Sequence, residues 1–319
     1  MVAAVLATIA VLVLSPAPAE AAQRSTTAKK SARVVAVKRQ PAKKPARRAA
    51  PAPARKVVAK APEPEFDREG NPLLRSSAFL VQDLNSGEVI LEKNSAAVLP
   101  IASITKLMTA MVVLDAHLGL DEQLVISEED LDRLKGTGSR LGVGTTLSRE
   151  DMLRLALMSS ENRAASALGR HYPGGQAAFV EAMNHKAHAL GLHDTRFYDS
   201  IGLNKGNVSS ARDLAQMVSA ASHYPLIREF STMSDYAVSV RGRAQQFRNT
   251  NSLVASPDWQ IGVSKTGFIN ESGKCLVMQA WMGNKPVAIV LLDSWGRYTR
   301  IGDAQRVRKW VEAILPMRN

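Results

Sequence analysis

The sequence predicts an α+β fold in which an antiparallel sheet is flanked by helices and accompanied by a helical subdomain. Near the start of the predicted folded part, two segments of alternating character, 78–83 and 88–92, flank the turn residues Asn85-Ser86-Gly87, which predicts a hairpin. A block of helical segments follows. Strand-like segments then return in close succession at 260–265, 276–282 and 287–292. Because short loops connect these strands, antiparallel pairing is expected.

The helical block is predicted from apolar residues that recur with helical spacing. The segments are 102–118, 152–157, 162–169, 176–190, 210–221 and, after the last strand, 300–315. The first helix is expected to end at Gly119, and the second to be capped by Ser148 with Asp151 three residues later. We find no internal repeat.

Charge is distributed unevenly along the chain. Residues 23–62 contain 13 Lys or Arg and no Asp or Glu, whereas residues 63–319 contain 28 basic and 28 acidic residues. The basic segment is rich in Ala and Pro and lacks aromatic residues, so it cannot bury enough apolar area to offset its ordering entropy. We expect a disordered linker that serves as a spacer or attaches to an anionic envelope surface. Because the remainder is neutral, nucleic-acid binding is not expected.

Residues 1–22 have the features of an export signal. An apolar run at 2–14 is followed by Pro16, Pro18 and the small-residue stretch Ala19-Glu20-Ala21-Ala22. We expect cleavage near Ala21 or Ala22 and no transmembrane anchor in the mature chain. An uncleaved anchor is the weaker alternative, because crossing a bilayer takes about 20 apolar residues.

Neither cysteine nor histidine chemistry is indicated. Cys275 is the only cysteine and lies in an alternating strand segment, which favours a core side chain over a catalytic thiol. His185 and His188 are three residues apart on a predicted helix, but no third ligand is evident and a polar helix face is the better interpretation. We expect no metal and no other cofactor.

The most informative residues are Ser103 and Lys106. The surrounding helix is apolar nearly all round, which is typical of a buried helix. The three-residue spacing places the lysine ammonium beside the serine hydroxyl. Burial and the positive end of the helix dipole both disfavour the charged lysine, so its pKa should fall toward that of a usable general base. Alone, the pair is equally explained as a capping serine followed by a lysine whose ammonium reaches solvent.

Two further motifs accompany this pair. Ser160-Glu161-Asn162 is predicted at the corner between two helices, and Lys265-Thr266-Gly267 at the end of the strand that begins near Gln260. The patterns Ser-x-x-Lys, Ser-x-Asn and Lys-Thr/Ser-Gly each occur once and in this order. The chain therefore resembles the penicillin-recognising serine enzymes, which comprise the beta-lactamases and the penicillin-binding proteins.

The resemblance covers most of residues 75–315. Segments 100–110 and 208–215 resemble low-molecular-mass DD-peptidases, and segments 158–165 and 265–276 resemble their D-alanyl-D-alanine endopeptidase branch. It implies a beta-lactamase/transpeptidase-like fold and a periplasmic enzyme that acts on peptidoglycan stem peptides and cross-links, with beta-lactams as covalent inhibitors.

The same resemblance makes residues 63–319 a DD-peptidase catalytic domain. Carboxypeptidases of this family usually carry a further C-terminal β domain and an anchoring helix, which we do not expect in a chain that ends at Asn319.

The resemblance also implies catalytic roles. Ser103 would form the acyl-enzyme and Lys106 would accept its proton. Ser160 would relay that proton to the leaving amine. Asn162 would orient Lys106 and contact the substrate amide.

Further residues are implied in substrate binding. Lys265 and Thr266 would receive the carboxylate beside the scissile bond, and Lys265 would help to keep the catalytic lysine neutral. Gly267 would leave room for substrate backbone. The backbone N–H groups of Phe268 and of the nucleophilic serine would form the oxyanion hole.

Several functions share these residues. A serine DD-endopeptidase is the preferred interpretation, with a D-alanyl-D-alanine carboxypeptidase second. A beta-lactamase would need a carboxylate that activates the deacylating water, and none is identified. A non-catalytic module that senses beta-lactams or binds the cell wall is disfavoured, because Ser103, Lys106 and Ser160 are all present.

Overall fold

The computed structural model describes residues 66–296 and 298–314. The expected signal peptide at 1–22 and basic linker at 23–62 lie outside the described residues. The strands are β1 Ser76–Asp83, β2 Val89–Lys93, β3 Leu99–Pro100, β4 Gln123–Val125, β5 Thr146–Ser148, β6 Val208–Ser209, β7 Asp235–Val240, β8 Arg243–Arg248, β9 Ile261–Ile269, β10 Gly273–Met282 and β11 Lys285–Ser294. The helices are α1 Thr105–Asp115, α2 Arg149–Met158, α3 Asn162–Arg170, α4 Gly175–Ala189, α5 Ala211–Ala221, α6 Pro225–Thr232 and α7 Thr299–Ile314.

The main sheet has five strands in the order β2-β1-β11-β10-β9. All four neighbouring pairs are antiparallel, and both hairpins expected from short connections, β1–β2 and β10–β11, are present. The predicted α+β class with an antiparallel sheet is thus confirmed. Strand β9 lies at the edge of this sheet, so one side of its backbone has no partner strand there.

Both faces of the sheet are buried, because successive side chains of a strand point to opposite faces. Along β1, Phe79 and Val81 pack in a cluster that includes Val307 of α7. The intervening residue Leu80 belongs to the larger cluster, which includes Met111 of α1 and the other helices. This arrangement fixes α1 against the sheet on the side opposite α7.

The helix predicted at 102–118 is shorter than expected. Residues Ala102–Ile104 form a 3-10 turn, and the α-helix begins at Thr105. Ala102 has a φ of 47° and His117 a φ of 50°, both in the left-handed region that an α-helix cannot contain. The expected stop at Gly119 is therefore wrong, because the chain leaves the helix two residues earlier.

The other predicted helices and strands are present with boundaries close to those expected. The Ser148 side chain accepts from the backbone N–H of Asp151, which confirms the predicted cap of α2. The motif Lys265-Thr266-Gly267 lies within β9 and not at its end, since pairing with β10 continues to Ile269.

Several elements were not predicted. They are α6, the hairpin β7–β8, and the short pairs β3–β6 and β4–β5. The hairpin turn consists of Arg241 and Gly242, which both have positive φ as a two-residue hairpin turn requires.

Two sequence expectations concern burial and membranes. Cys275 is fully buried, and burial raises the pKa of its thiol to about 11, so it is a neutral core side chain as predicted. Within 66–296 and 298–314, no helix is both long enough and apolar enough to cross a membrane.

Candidate active site

Ser103 lies in the 3-10 turn immediately before α1, and Lys106 is the second residue of that helix. The Lys106 side chain is 0% exposed. Its Nζ lies 2.9 Å from the Ser103 hydroxyl oxygen. The structure thus forms the close serine–lysine pair that the spacing predicted.

Two other groups hold the Lys106 ammonium nitrogen. It donates to the side-chain oxygen of Asn162 at 2.8 Å and to the backbone carbonyl of Ile201 at 2.7 Å. Both of these oxygens can only accept hydrogen bonds. When Lys106 is neutral, its two N–H groups satisfy them and its lone pair is left facing the Ser103 hydroxyl. The geometry therefore suits proton transfer from Ser103 to Lys106.

The electrostatics agree with this arrangement. Burial lowers the pKa of Lys106 to about 7, although the negative charges of Asp199 and Glu161 raise it in part. About half of the molecules would then carry a neutral Lys106 at pH 7. The predicted drop of this pKa toward that of a general base is borne out.

Lys265, the second buried lysine, interacts electrostatically with Lys106. Burial lowers the pKa of Lys265 well below its usual value, and the positive charges of Lys106 and Arg300 lower it further. Repulsion between two like charges is mutual, so a charged Lys265 would in turn favour the neutral form of Lys106. Burial is the largest cause of the lowered pKa of Lys106, and the supporting role of Lys265 stays a prediction.

The carbonyl of Ile201 is positioned by the loop after α4. Asp199 accepts from the backbone N–H groups of Ile201 at 2.9 Å and Gly202 at 2.5 Å. A β-carbon at Gly202 would lie 2.0 Å from the carbonyl oxygen of Ala102, so only glycine allows this approach to the nucleophile. No motif in the sequence indicated this loop.

Ser160 occupies the corner between α2 and α3, as predicted. Its φ of 60° is left-handed, which is uncommon for a non-glycine residue and is a feature of functional sites. Its side chain lines the same cleft as Ser103. Among the hydrogen bonds of the described residues, however, none joins Ser160 to Lys106.

Strand β9 forms the opposite wall. Lys265 is 1% exposed and donates to the carbonyl of Thr266 at 3.1 Å. The Thr266 hydroxyl donates to that of Thr250 at 2.7 Å. Strand β9 is an edge strand, the kind of position at which an extended peptide can add to a sheet, although its Thr266 carbonyl already accepts from Lys265.

The packing of the chain itself requires a glycine at position 267. A β-carbon there would lie 2.8 Å from the carbonyl oxygen of Ile101 and 3.2 Å from the amide nitrogen of Ser103. Glycine is thus required because β9 approaches the backbone of the nucleophile, and the room it would leave for substrate stays a prediction. The same contact brings the Ser103 amide against β9, beside Phe268.

A cleft of about 250 Å³ contains these groups. Its lining comprises Ser103, Thr137, Ser160, Asn162, Leu203, Thr250, Thr266, Gly267, Phe268 and Arg300. Lys106 and Lys265 lie buried behind this surface. Thr137 and Thr250 lie outside the three sequence motifs.

Arg300 was missed by the sequence reasoning. It lies in the first turn of α7 and donates to the carbonyl oxygens of Gly267 at 3.0 Å and Cys275 at 3.3 Å. Burial lowers its pKa, but an arginine remains charged at neutral pH. It therefore adds a permanent positive charge to the end of the cleft that β9 lines.

The comparisons with known proteins agree with this site. The family model described as D-alanyl-D-alanine carboxypeptidase, peptidase family S11, matches residues 66–295. A D-alanyl-D-alanine endopeptidase of Pseudomonas aeruginosa is 49% identical over 258 residues, covering 80% of this chain and 83% of the relative. A D-alanyl-D-alanine endopeptidase of Escherichia coli is 49% identical over 250 residues, covering 77% and 81%.

A solved structure shares the fold. The Streptomyces K15 DD-transpeptidase superimposes with a TM-score of 0.71 at 28% sequence identity, covering 76% of this chain and 99% of that one. Given the family match and these relatives, the chain belongs to the D-alanyl-D-alanine carboxypeptidase family of serine peptidases.

Proposed function

We propose that this chain is a serine DD-endopeptidase that hydrolyses D-alanyl-diaminopimelate cross-links in peptidoglycan through an acyl-enzyme on Ser103. The observation that carries this proposal is the position of the buried Lys106 nitrogen, 2.9 Å from the Ser103 hydroxyl oxygen and held by two acceptor oxygens. The endopeptidase names of the two relatives at 49% identity favour cross-links over free pentapeptides as substrate.

Acylation begins when the Ser103 oxygen attacks the carbonyl carbon of D-alanine. The hydroxyl proton passes to Lys106, and the negative charge on the carbonyl oxygen is stabilised by the backbone N–H groups of Ser103 and Phe268. The C–N bond then breaks, and the leaving amine receives a proton from Lys106 through the Ser160 hydroxyl. An ester on Ser103 remains.

Deacylation reverses the proton path. A water molecule attacks the ester carbonyl and Lys106 accepts its proton. The bond to the serine oxygen breaks, the proton returns to that oxygen, and the donor peptide leaves as a free acid. Asn162 keeps Lys106 oriented in both steps through the 2.8 Å contact.

The substrate carboxylate beside the scissile bond is assigned to Thr266, Lys265 and Arg300. The pKa of Lys265 is depressed in the free protein, and a bound carboxylate would raise it by favouring the charged form. Arg300 supplies a charge that does not depend on this protonation. The Thr266 hydroxyl lines the cleft and would supply a neutral donor by turning its proton from Thr250 to the carboxylate.

Two alternatives use the same residues. A carboxypeptidase, the activity in the description of the matching family, would release a terminal D-alanine. A beta-lactamase needs a carboxylate on the deacylating water, and the described lining of the cleft includes none. The alternative of a non-catalytic module does not explain a buried lysine whose pKa is about 7 beside a serine.

We also propose that residues 63–319 form the catalytic domain of an exported, periplasmic enzyme. The support is the signal-peptide pattern of residues 1–22 followed by the basic segment 23–62, which would act as a spacer or bind an anionic envelope surface. N-terminal sequencing of protein recovered from the periplasm should give a start near Ala22 or Gln23. An intact N-terminus in that fraction would contradict cleavage.

Matched digests test the choice of bond. The purified chain is incubated with cross-linked muropeptide dimers and, separately, with free pentapeptides, and Ser103→Ala serves as the control. Mass spectrometry should show monomers from the dimers. Release of D-alanine from pentapeptides while dimers stay intact would establish the carboxypeptidase alternative instead.

A further inference from the structure

Thr137 approaches the active site from a loop that lies far from the three motifs in sequence. It follows the short helical turn Glu128–Asp130 and precedes β5. Its hydroxyl oxygen accepts a hydrogen bond from the side-chain nitrogen of Asn162 at 2.9 Å. The other end of the same amide, the Asn162 oxygen, accepts from Lys106 at 2.8 Å. Thr137 is therefore connected to Lys106, the proposed base, through the side chain of Asn162.

The backbone of Thr137 is anchored from outside the cleft. The Asp132 carboxylate accepts from the Thr137 backbone N–H at 2.7 Å. Burial raises the pKa of Asp132, but hydrogen bonds from the Lys135 amide, the Thr137 amide and the Thr137 side chain lower it to a net value below the usual 3.8. Because the side-chain nitrogen of Asn162 can only donate, the Thr137 oxygen is the acceptor in this contact.

We propose that Thr137 is a positioning residue that fixes the orientation of the Asn162 amide and thereby keeps the lone pair of Lys106 on the Ser103 hydroxyl. This inference rests on the proposed function, since it assigns Lys106 as the base. Without the acceptor at Thr137, the amide is free to rotate by half a turn. Its NH₂ group would then donate to the neutral Lys106 nitrogen and occupy the lone pair that Ser103 needs.

The loop has other anchors, so the contact of Thr137 can be removed without releasing the loop. Ser139 donates to the buried carboxylate of Glu161. Arg163 donates to the carbonyl of Leu141 at 2.7 Å. Lys135 forms an ion pair with Glu271 at 2.5 Å. None of these contacts involves the Thr137 side chain.

The rotated amide would have a second, measurable effect. A donor to Lys106 stabilises the neutral amine over the ammonium, so the pKa of Lys106 should fall. The charged groups that face Lys106 are Asp199 on the loop after α4, Glu161 at the α2–α3 corner and Lys265 on β9, and they are the same in every Thr137 variant. A shift of the pKa among these variants therefore reports on the amide.

The test compares Thr137→Val, which has the same shape but no hydroxyl, with Thr137→Ser, which keeps it. The second-order rate of acylation by a fluorescent penicillin is measured from pH 5 to pH 9, per active site. For Thr137→Val we expect the maximal rate to fall by about 5- to 100-fold, because the buried side-chain N–H of Asn162 loses the acceptor for its hydrogen bond. We also expect the rise in rate to move to lower pH. Thr137→Ser should restore both the rate and the pH profile.

Two results would overturn the inference. One is a Thr137→Val variant with the rate and pH profile of the wild type. The other is an equal loss in Thr137→Val and Thr137→Ser with no change in the pH profile, which would indicate loop packing alone. If the wild-type protein itself is not acylated at Ser103, the proposed function fails, and this outcome is distinct from either of the two.

Discussion

The pH dependence of acylation follows directly from the environment of Lys106. Its pKa is about 7, lowered by burial from the ordinary 10.5. The neutral form, which is the base, accounts for about 0.1 of the molecules at pH 6 and about 0.9 at pH 8. The acylation rate should therefore rise about tenfold over this interval and level off above it. A lysine with an ordinary pKa would still be almost wholly protonated, and the rate would rise about a hundredfold.

The assay is the second-order rate of labelling by a fluorescent penicillin in buffers of constant ionic strength. Ser103→Ala provides the background at each pH. Lys106→Arg provides a second control, because an arginine cannot lose its proton in a protein and the rate should fall by about 10²- to 10⁴-fold. A hundredfold rise between pH 6 and pH 8, or a Lys106→Arg variant that is labelled at the wild-type rate, would refute the assignment of Lys106 as the base.

Three further variants or substrates test neighbouring parts of the site. Gly267→Ala would place a β-carbon 2.8 Å from the Ile101 carbonyl oxygen, so we expect β9 to shift and acylation to slow by about 10²-fold. An unchanged acylation rate would contradict this packing argument. Glu161→Gln removes a negative charge that raises the pKa of Lys106, so the rise in acylation rate should move to lower pH. A move to higher pH would contradict the effect assigned to the Glu161 charge. Amidation of the substrate carboxylate removes the charge that Lys265 would bind, so binding of the substrate should weaken by about 1.5–3 kcal/mol. If the amidated peptide were cleaved as fast as the free acid, Lys265 would not have this role.

Much of the site was accessible from the sequence because its chemistry lies in side chains at short, regular spacing. The helical spacing of Ser103 and Lys106 predicted their contact, and the structure has it at 2.9 Å. The family resemblance carried by the three motifs also implied that Asn162 and Lys265 come to the same place. Local periodicity was sufficient to predict the five strands of the main sheet and six of the seven helices in the described residues.

The features that the sequence did not predict depend on tertiary structure. The third acceptor of Lys106 is the backbone carbonyl of Ile201, and every residue has a carbonyl, so no pattern distinguishes this one. Arg300 and Thr137 reach the cleft from elements that only the assembled fold brings near it. The packing contact of Gly267 was not predicted because it is made with a distant part of the chain, which a motif does not reveal.

The central claim is that Ser103 is the nucleophile, and covalent labelling tests it most directly. The protein is incubated with a fluorescent penicillin and digested, and the labelled peptide is identified by mass spectrometry. The label should be an ester on Ser103, present at one per chain and absent from Ser103→Ala. Label that persists in the Ser103→Ala variant, or that maps to another residue in the wild type, would contradict the account.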